Sequence, residues 1–149
     1  MNFRPTLHMP RNLVMRLLEH FDESEPKEAC GLLVGTPDGR ITEIVESENK
    51  ADNPETTFEI DVGLRLRVQR RARTDGKQIV GHYHSHPTSA AWPSERDISL
   101  ACEPDLVWLI AGRPEDGEPG WEMSAFFLDE ARFSVEPVML EILEEQTED

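Results

Sequence analysis

The stretch GHYHSHPTSAAWPSERD, Gly81 to Asp97, sets three imidazoles on alternate positions of one short segment and closes that segment with a proline. Successive side chains of a strand point to opposite faces, so His82, His84 and His86 share one face if this segment is extended. Pro87 cannot donate to a sheet ladder and directs the chain out of the strand. The only other histidines are His8 and His20. Three readings compete for the cluster: a structural strand that carries imidazoles, a pH-sensitive patch, or a metal site.

Composition narrows the field. With 149 residues the chain is expected to form a single domain, residues 1–138, followed by an acidic tail, residues 139–149. Its apolar fraction of 38% fits a globular protein. Against 15 basic residues stand 30 acidic ones, a net charge of −15. Such a surface repels phosphate, which argues against nonspecific binding to nucleic acid or an anionic membrane, and solubility is the plain explanation of the charge. The segment MNFRPTLHMPRNLV lacks the apolar core of a signal peptide, and no apolar run reaches the roughly 20 residues that span a bilayer. Cys30 and Cys102 form no disulfide framework, and a cytoplasmic location is expected. Without a CxxC pair or a second histidine cluster, any metal must be held mainly by residues 82–97.

Periodicity gives the order of elements. Leu13, Val14, Leu17, Leu18 and Phe21 fall on one helical face, with Pro10 near the helix start. CGLLVGTPDGRITEIVES reads as a hairpin turning at Asp38-Gly39. A polar loop and a short strand-like FEI lead to a helix from Asp61, its cap, to about Thr74, with Leu64, Val68 and Arg71 at apolar-face spacing. QIVGHYHSH, DLVWLIAGR, WEMSAFFLD and ARFSVEPV read as strands, SERDISLAC as a short helix, and EILEEQTED as a frayed tail, helical at most at its start. The fold class is therefore α/β, with a mixed, mostly antiparallel sheet flanked by helices; a segregated α+β arrangement is the alternative.

An H-x-H pair in a strand brings two imidazoles within reach of one ion. Downstream of the histidines, PSERDISLA offers a capping box, with Ser94 as N-cap and Asp97 three residues on, although Glu or Gln is the usual partner there. The cap fixes Asp97 in the first helical turn beside the strand end, so capping and ligation are compatible. Two imidazoles and one carboxylate are a typical catalytic zinc set, which leaves one tetrahedral position for water.

HSHP, six residues, Ser94, two residues and Asp97 together resemble the JAMM motif of the MPN+ metalloproteases, whose upstream glutamate matches Glu28 in PKEACGLLVG. NPETTFEID, the helix before the histidines and DLVWLIAG after them follow the order of the compact bacterial and archaeal members, so the resemblance covers about residues 8 to 138. It implies an MPN (cytidine-deaminase-like) fold with His84, His86 and Asp97 as ligands of one Zn2+. Glu28 is implied as general base and then acid, and Ser94 as hydrogen-bond donor to the oxyanion. The implied reaction is hydrolysis of a peptide or isopeptide bond after the C-terminal glycine of a ubiquitin-like or sulfur-carrier protein, and a small β-grasp carrier with a flexible Gly-Gly tail is the expected substrate. TSAAW and PEDGEPG are too short for the insertions of larger relatives that grip ubiquitin.

Several residues stand outside the motif. His82 either orients a ligand or packs, and Cys30 reads as a small buried residue. Arg65, Arg67, Arg70, Arg71, Arg73 and Lys77 crowd into one segment, either as a solvated helix face or as a docking patch for an acidic carrier or a second subunit, which keeps a homodimer open. The competing functions are a non-catalytic MPN-type interaction module and a zinc nucleobase deaminase. The deaminase needs H-x-E followed by P-C-x-x-C, and neither occurs.

Overall fold

A computed structural model describes residues 6–99, 106–129 and 134–144. Its elements are β1 (Leu7–Pro10), α1 (Arg11–Ser24), β2 (Cys30–Gly35), β3 (Ile41–Ser47), α2 (Val62–Thr74), β4 (Gln78–Ser85), α3 (Glu95–Ser99), β5 (Val107–Gly112), β6 (Glu122–Asp129), β7 (Ser134–Val138) and β8 (Leu140–Leu143). Six strands form one sheet in the order β3-β2-β4-β5-β6-β7. All its pairings are antiparallel except β4–β5. The expected α/β class with a mixed, mostly antiparallel sheet is thus the observed one.

The sheet has two differently covered faces, because alternate residues of each strand point opposite ways. On one face α1 lays Val14, Leu17 and Phe21 over Leu33, Tyr83, Leu109 and Ala111. Each large side chain removed from water there contributes about 1.5–3 kcal/mol before chain entropy is counted. On the other face α2 seats Val68 and Ala72 on Leu32 and Val34, while Trp108, Ile110 and Phe126 form a separate apolar patch. His82 and His84 lie on this second face, opposite Leu32 and Cys30 on β2 and Trp108 and Ile110 on β5. The histidines therefore emerge between two small hydrophobic clusters.

Local chemistry explains the element ends. The β2–β3 hairpin turns with Gly39 at φ 91°, a left-handed conformation that a side chain would strain. Asp61 caps α2 as expected, its Oδ1 accepting from the N–H groups of Gly63 at 2.9 Å and Leu64 at 3.3 Å. Arg71 does not share the apolar face of α2. Ala72 occupies the place four residues after Val68, and Arg71 reaches outward to both oxygens of Glu43 at 2.9 Å.

The segment after Val138 departs from its expected frayed or helical state. Leu140–Leu143 is a strand, parallel to β1 with Leu7 opposite Leu140. Its charge density suggests disorder when it is read alone, but a strand some 130 residues away in sequence supplies its ladder. His8 lies 3.7 Å from Glu141, and Arg11 lies 3.5 Å from Glu144, across the same pairing. Strand β1 itself, four residues ending in proline, has too little alternation to be recognised locally. No described helix is long and apolar enough to cross a membrane.

Candidate metal centre

Three elements converge at the C-terminal end of β4. His84 is the penultimate residue of that strand, and His86 comes immediately after it, its N–H donating to the Ala111 carbonyl at 2.7 Å. Asp97 sits in the first turn of α3. The Nε2 atoms of His84 and His86 are 3.1 Å apart, and Asp97 Oδ2 lies 3.2 Å from the first and 3.1 Å from the second. A four-coordinate Zn2+ with bonds of about 2.0–2.1 Å sets its donor atoms roughly 3.3 Å from one another. The three atoms therefore have the spacing of one face of such a tetrahedron.

The tautomers agree with this reading. His86 Nδ1 lies 2.9 Å from the Ala90 carbonyl, an acceptor only, so Nδ1 carries a proton and Nε2 is the nitrogen turned toward His84 and Asp97. Gly112 makes that contact possible. A Cβ there would stand 2.3 Å from Ala90 C and Ala91 N, so only glycine lets the loop lie against β5. His84 is held by stacking: the Phe58 ring lies 4.2 Å from it at 16°. Its Nδ1 is buried and has no hydrogen-bond partner among the described residues.

Charge is balanced within the cluster. Burial drives the His84 pKa down, which keeps its imidazole neutral, as a metal ligand must be. At His86 burial works downward too, but the contacts with Asp97 and the Ala90 carbonyl outweigh it and raise the pKa. Burial alone would raise Asp97, yet its contacts with His84 and His86 and the backbone N–H of Ser94 hold the carboxyl well below the usual carboxylate range. Two imidazoles and an ionised carboxylate suit zinc in donor type as well as in spacing.

Glu28 is placed across from these ligands. It precedes β2, which pairs with β4, and is only 5% exposed. Ligand atoms of Glu28, His84 and His86 all lie within 4.8 Å of one another. The segment carrying Glu28 is tied down on both sides. Ala29 N–H donates to Ser85 Oγ at 2.8 Å, while Ser85 N–H donates to the Ala29 carbonyl at 3.0 Å. Glu28 N–H donates to the Pro54 carbonyl at 2.8 Å, and Asn49 Nδ2 donates to the Glu28 carbonyl at 3.0 Å.

Ser94 closes the expected capping box. Its Oγ accepts from Asp97 N–H at 2.9 Å, and its own N–H donates to Asp97 Oδ2 at 2.9 Å. Aspartate thus replaces the usual Glu or Gln, and the same carboxylate oxygen faces the imidazoles.

All five residues singled out from the sequence meet in one place: His84, His86 and Asp97 as a donor triangle, Glu28 beside two of them, and Ser94 on Asp97. His82 packs between Phe58 at 5.8 Å and Trp108 at 6.2 Å, and burial pushes its pKa down to about 3. It is the packed histidine of the two readings. Cys30 is buried, with its thiol pushed up to about 12 chiefly by burial, which suits packing rather than reactivity. Cys102 lies outside the described residues. Sequence reasoning gave no role to Phe58, Asn49, Gly112 or the Ala90 carbonyl. The first two lie in or beside a polar loop without periodicity, and backbone atoms carry no residue signal.

Residues 10–126 match the family model described as prokaryotic homologs of the JAB domain. A CysO-cysteine peptidase of Mycobacterium tuberculosis is 32% identical over 99 residues, 66% of this chain and 68% of that one. A desampylase of Haloferax volcanii is 36% identical over 86 residues, 57% of this chain and 62% of that one. The solution structure of a protein from Desulfitobacterium hafniense superposes with a TM-score of 0.81 at 28% identity, covering 94% of each chain. With a match that spans residues 10–126, well over half of its length, the chain belongs to the prokaryotic JAB-domain family.

Proposed function

We propose that this protein is a zinc-dependent peptidase or isopeptidase that hydrolyses the amide bond after the C-terminal glycine of a ubiquitin-like or sulfur-carrier protein. The observation that carries the reading is the triangle of His84, His86 and Asp97 donor atoms, 3.1–3.2 Å apart, beside the buried Glu28 carboxylate. Relatives named as a CysO-cysteine peptidase and a desampylase support the substrate class.

His84 Nε2, His86 Nε2 and Asp97 Oδ2 would hold the ion. Bound there, Zn2+ supplies Lewis acidity and lowers the pKa of water to about 7. Glu28 takes the proton of the attacking water and hands it to the leaving amine, so one carboxylate serves as base and then acid. Burial beside the histidines keeps bulk water from competing for that proton. Ser94 donates a hydrogen bond from its hydroxyl to the oxyanion of the tetrahedral intermediate; accepting a bond from Asp97 N–H leaves that O–H free to donate. The carrier's flexible Gly-Gly tail enters the site as an extended strand.

The test is a fusion of a small β-grasp carrier ending in Gly-Gly to a reporter protein. The zinc-loaded enzyme is expected to cut after the second glycine, and chelation is expected to stop it. An intact fusion under zinc saturation overturns the proposal.

A further inference from the structure

Arg113 comes directly after β5 and binds three other parts of the chain: the loop after His86, the segment before Glu28 and the turn before β6. Its Nε donates to the Pro87 carbonyl at 2.8 Å, and Pro87 is the residue next to His86. Its Nη1 donates to the Gly120 carbonyl at 3.0 Å, and its Nη2 to Glu25 Oε1, three residues before Glu28. Its backbone N–H donates to the Ser89 carbonyl at 2.7 Å, one residue before the carbonyl that fixes His86 Nδ1. The guanidinium lies 3.7 Å over the Trp121 ring, and Trp121 in turn donates to Asp22 Oδ1 of α1 at 2.8 Å.

This arrangement uses what separates arginine from lysine. A planar fork donates in several fixed directions at once and stacks on an aromatic face, whereas an ammonium does neither with one geometry. The acceptors also matter: two are backbone carbonyls, and the third is a carboxylate, which makes the strongest of these bonds charge-assisted. The loop carrying His86 and the segment leading to Glu28 have no strand pairing between Pro87 and Glu25. The guanidinium spans that interval.

We propose that Arg113 is a positioning residue that, beyond the Ala29–Ser85 bonds, holds the metal-ligand loop against the Glu28 segment by binding Pro87 and Glu25 through one side chain. It acts through backbone and carboxylate contacts, without touching the reacting atoms. This role rests on the hydrolase reading. Groups supporting metal ligands typically govern affinity by about 10- to 100-fold, and a misplacement of about 1 Å at a catalytic group costs on the order of 10²-fold in rate.

The test compares the parent enzyme with Arg113→Lys and Arg113→Ala, each as the full chain. Zinc affinity is read by competition with a chromophoric chelator, folding by circular dichroism, and kcat and KM on the carrier fusion. Arg113→Lys is expected to stay folded, to bind zinc roughly tenfold more weakly and to lose about 10²-fold in kcat, with KM within about twofold of the parent. The lysine variant keeps the test decisive should Arg113→Ala fail to fold. Parent-like zinc affinity and kcat in folded Arg113→Lys overturn the inference. So does a lower melting temperature with unchanged kinetics, which marks Arg113 as a stabilising residue only. A parent that neither binds zinc nor cuts the fusion refutes the hydrolase reading itself, a result separable from any variant's behaviour.

Discussion

Asp97 Oδ2 accepts the Ser94 N–H at 2.9 Å and, with the same oxygen, lies within 3.2 Å of both His84 and His86 Nε2. The capping box of a five-residue helix is therefore also what aims the Asp97 carboxylate at the two imidazoles. Helix start and candidate metal centre share an atom, so damage to one is expected to be felt at the other. Replacing Ser94 by alanine removes the acceptor for Asp97 N–H and is expected to cost about 0.5–2 kcal/mol of stability. It also removes the oxyanion donor, and kcat is expected to fall by about 10²–10³-fold. Denaturant midpoints and steady-state kinetics check both. Retained kcat argues against the oxyanion role and leaves only the cap.

Glu28→Gln keeps the size of the side chain and abolishes its ability to accept a proton. The three donor atoms are untouched, so zinc affinity is expected to stay near that of the parent while turnover falls by about 10²–10⁴-fold. Parallel metal analysis and kinetics separate these effects. Near-parental activity removes Glu28 from the proton-transfer role.

Away from the centre, His20 links α1 to β4. Its Nδ1 lies 2.8 Å from the Tyr83 hydroxyl, and burial lowers its pKa below the usual 6.5, although Glu46 pulls the other way. Unfolded His20 binds a proton below about 6.5, while the folded residue resists protonation until lower pH. The unfolded state holds more protons in that window. His20's contribution to stability is therefore fully present above about pH 6.5 and lost as the pH falls through the folded value. Denaturant midpoints measured from about pH 7.5 to 5 are expected to decline less steeply in His20→Asn than in the parent. Identical slopes contradict this.

The exposed face of α2 carries Arg67, Arg70, Arg71 and Arg73. Charge reversal at Arg70 and Arg71 is expected to weaken cleavage of an acidic carrier while zinc binding stays intact, provided this face receives the substrate. The Arg71–Glu43 ion pair lost in the process is exposed and is worth about 0–1 kcal/mol. Unchanged kcat/KM removes the docking idea and leaves a solvated helix face.

The sequence displayed the centre more clearly than its supports. His84, His86, Ser94 and Asp97 have distinctive side chains at fixed spacing, Glu28 stands upstream in PKEACGLLVG, and strand alternation already set His82 and His84 on one face. The positions of Ser85, Phe58 and Asn49 depend on which strands become neighbours, a long-range fact that residue types do not encode locally. Strand alternation placed the histidines together but could not tell which of them faces Asp97, because His82 and His84 differ only in their surroundings: Trp108 beside one, Asp97 beside the other. Strands β1 and β8 escaped notice for a related reason. Each is four residues long and finds its partner at the opposite end of the chain.

Zinc stoichiometry in the purified protein, compared among the parent, His84→Ala and Asp97→Ala, tests the central claim most directly. One ion per chain is expected in the parent, and none retained by either variant at the same free zinc concentration. Full occupancy in the variants, or an empty parent at saturating zinc, contradicts the claim.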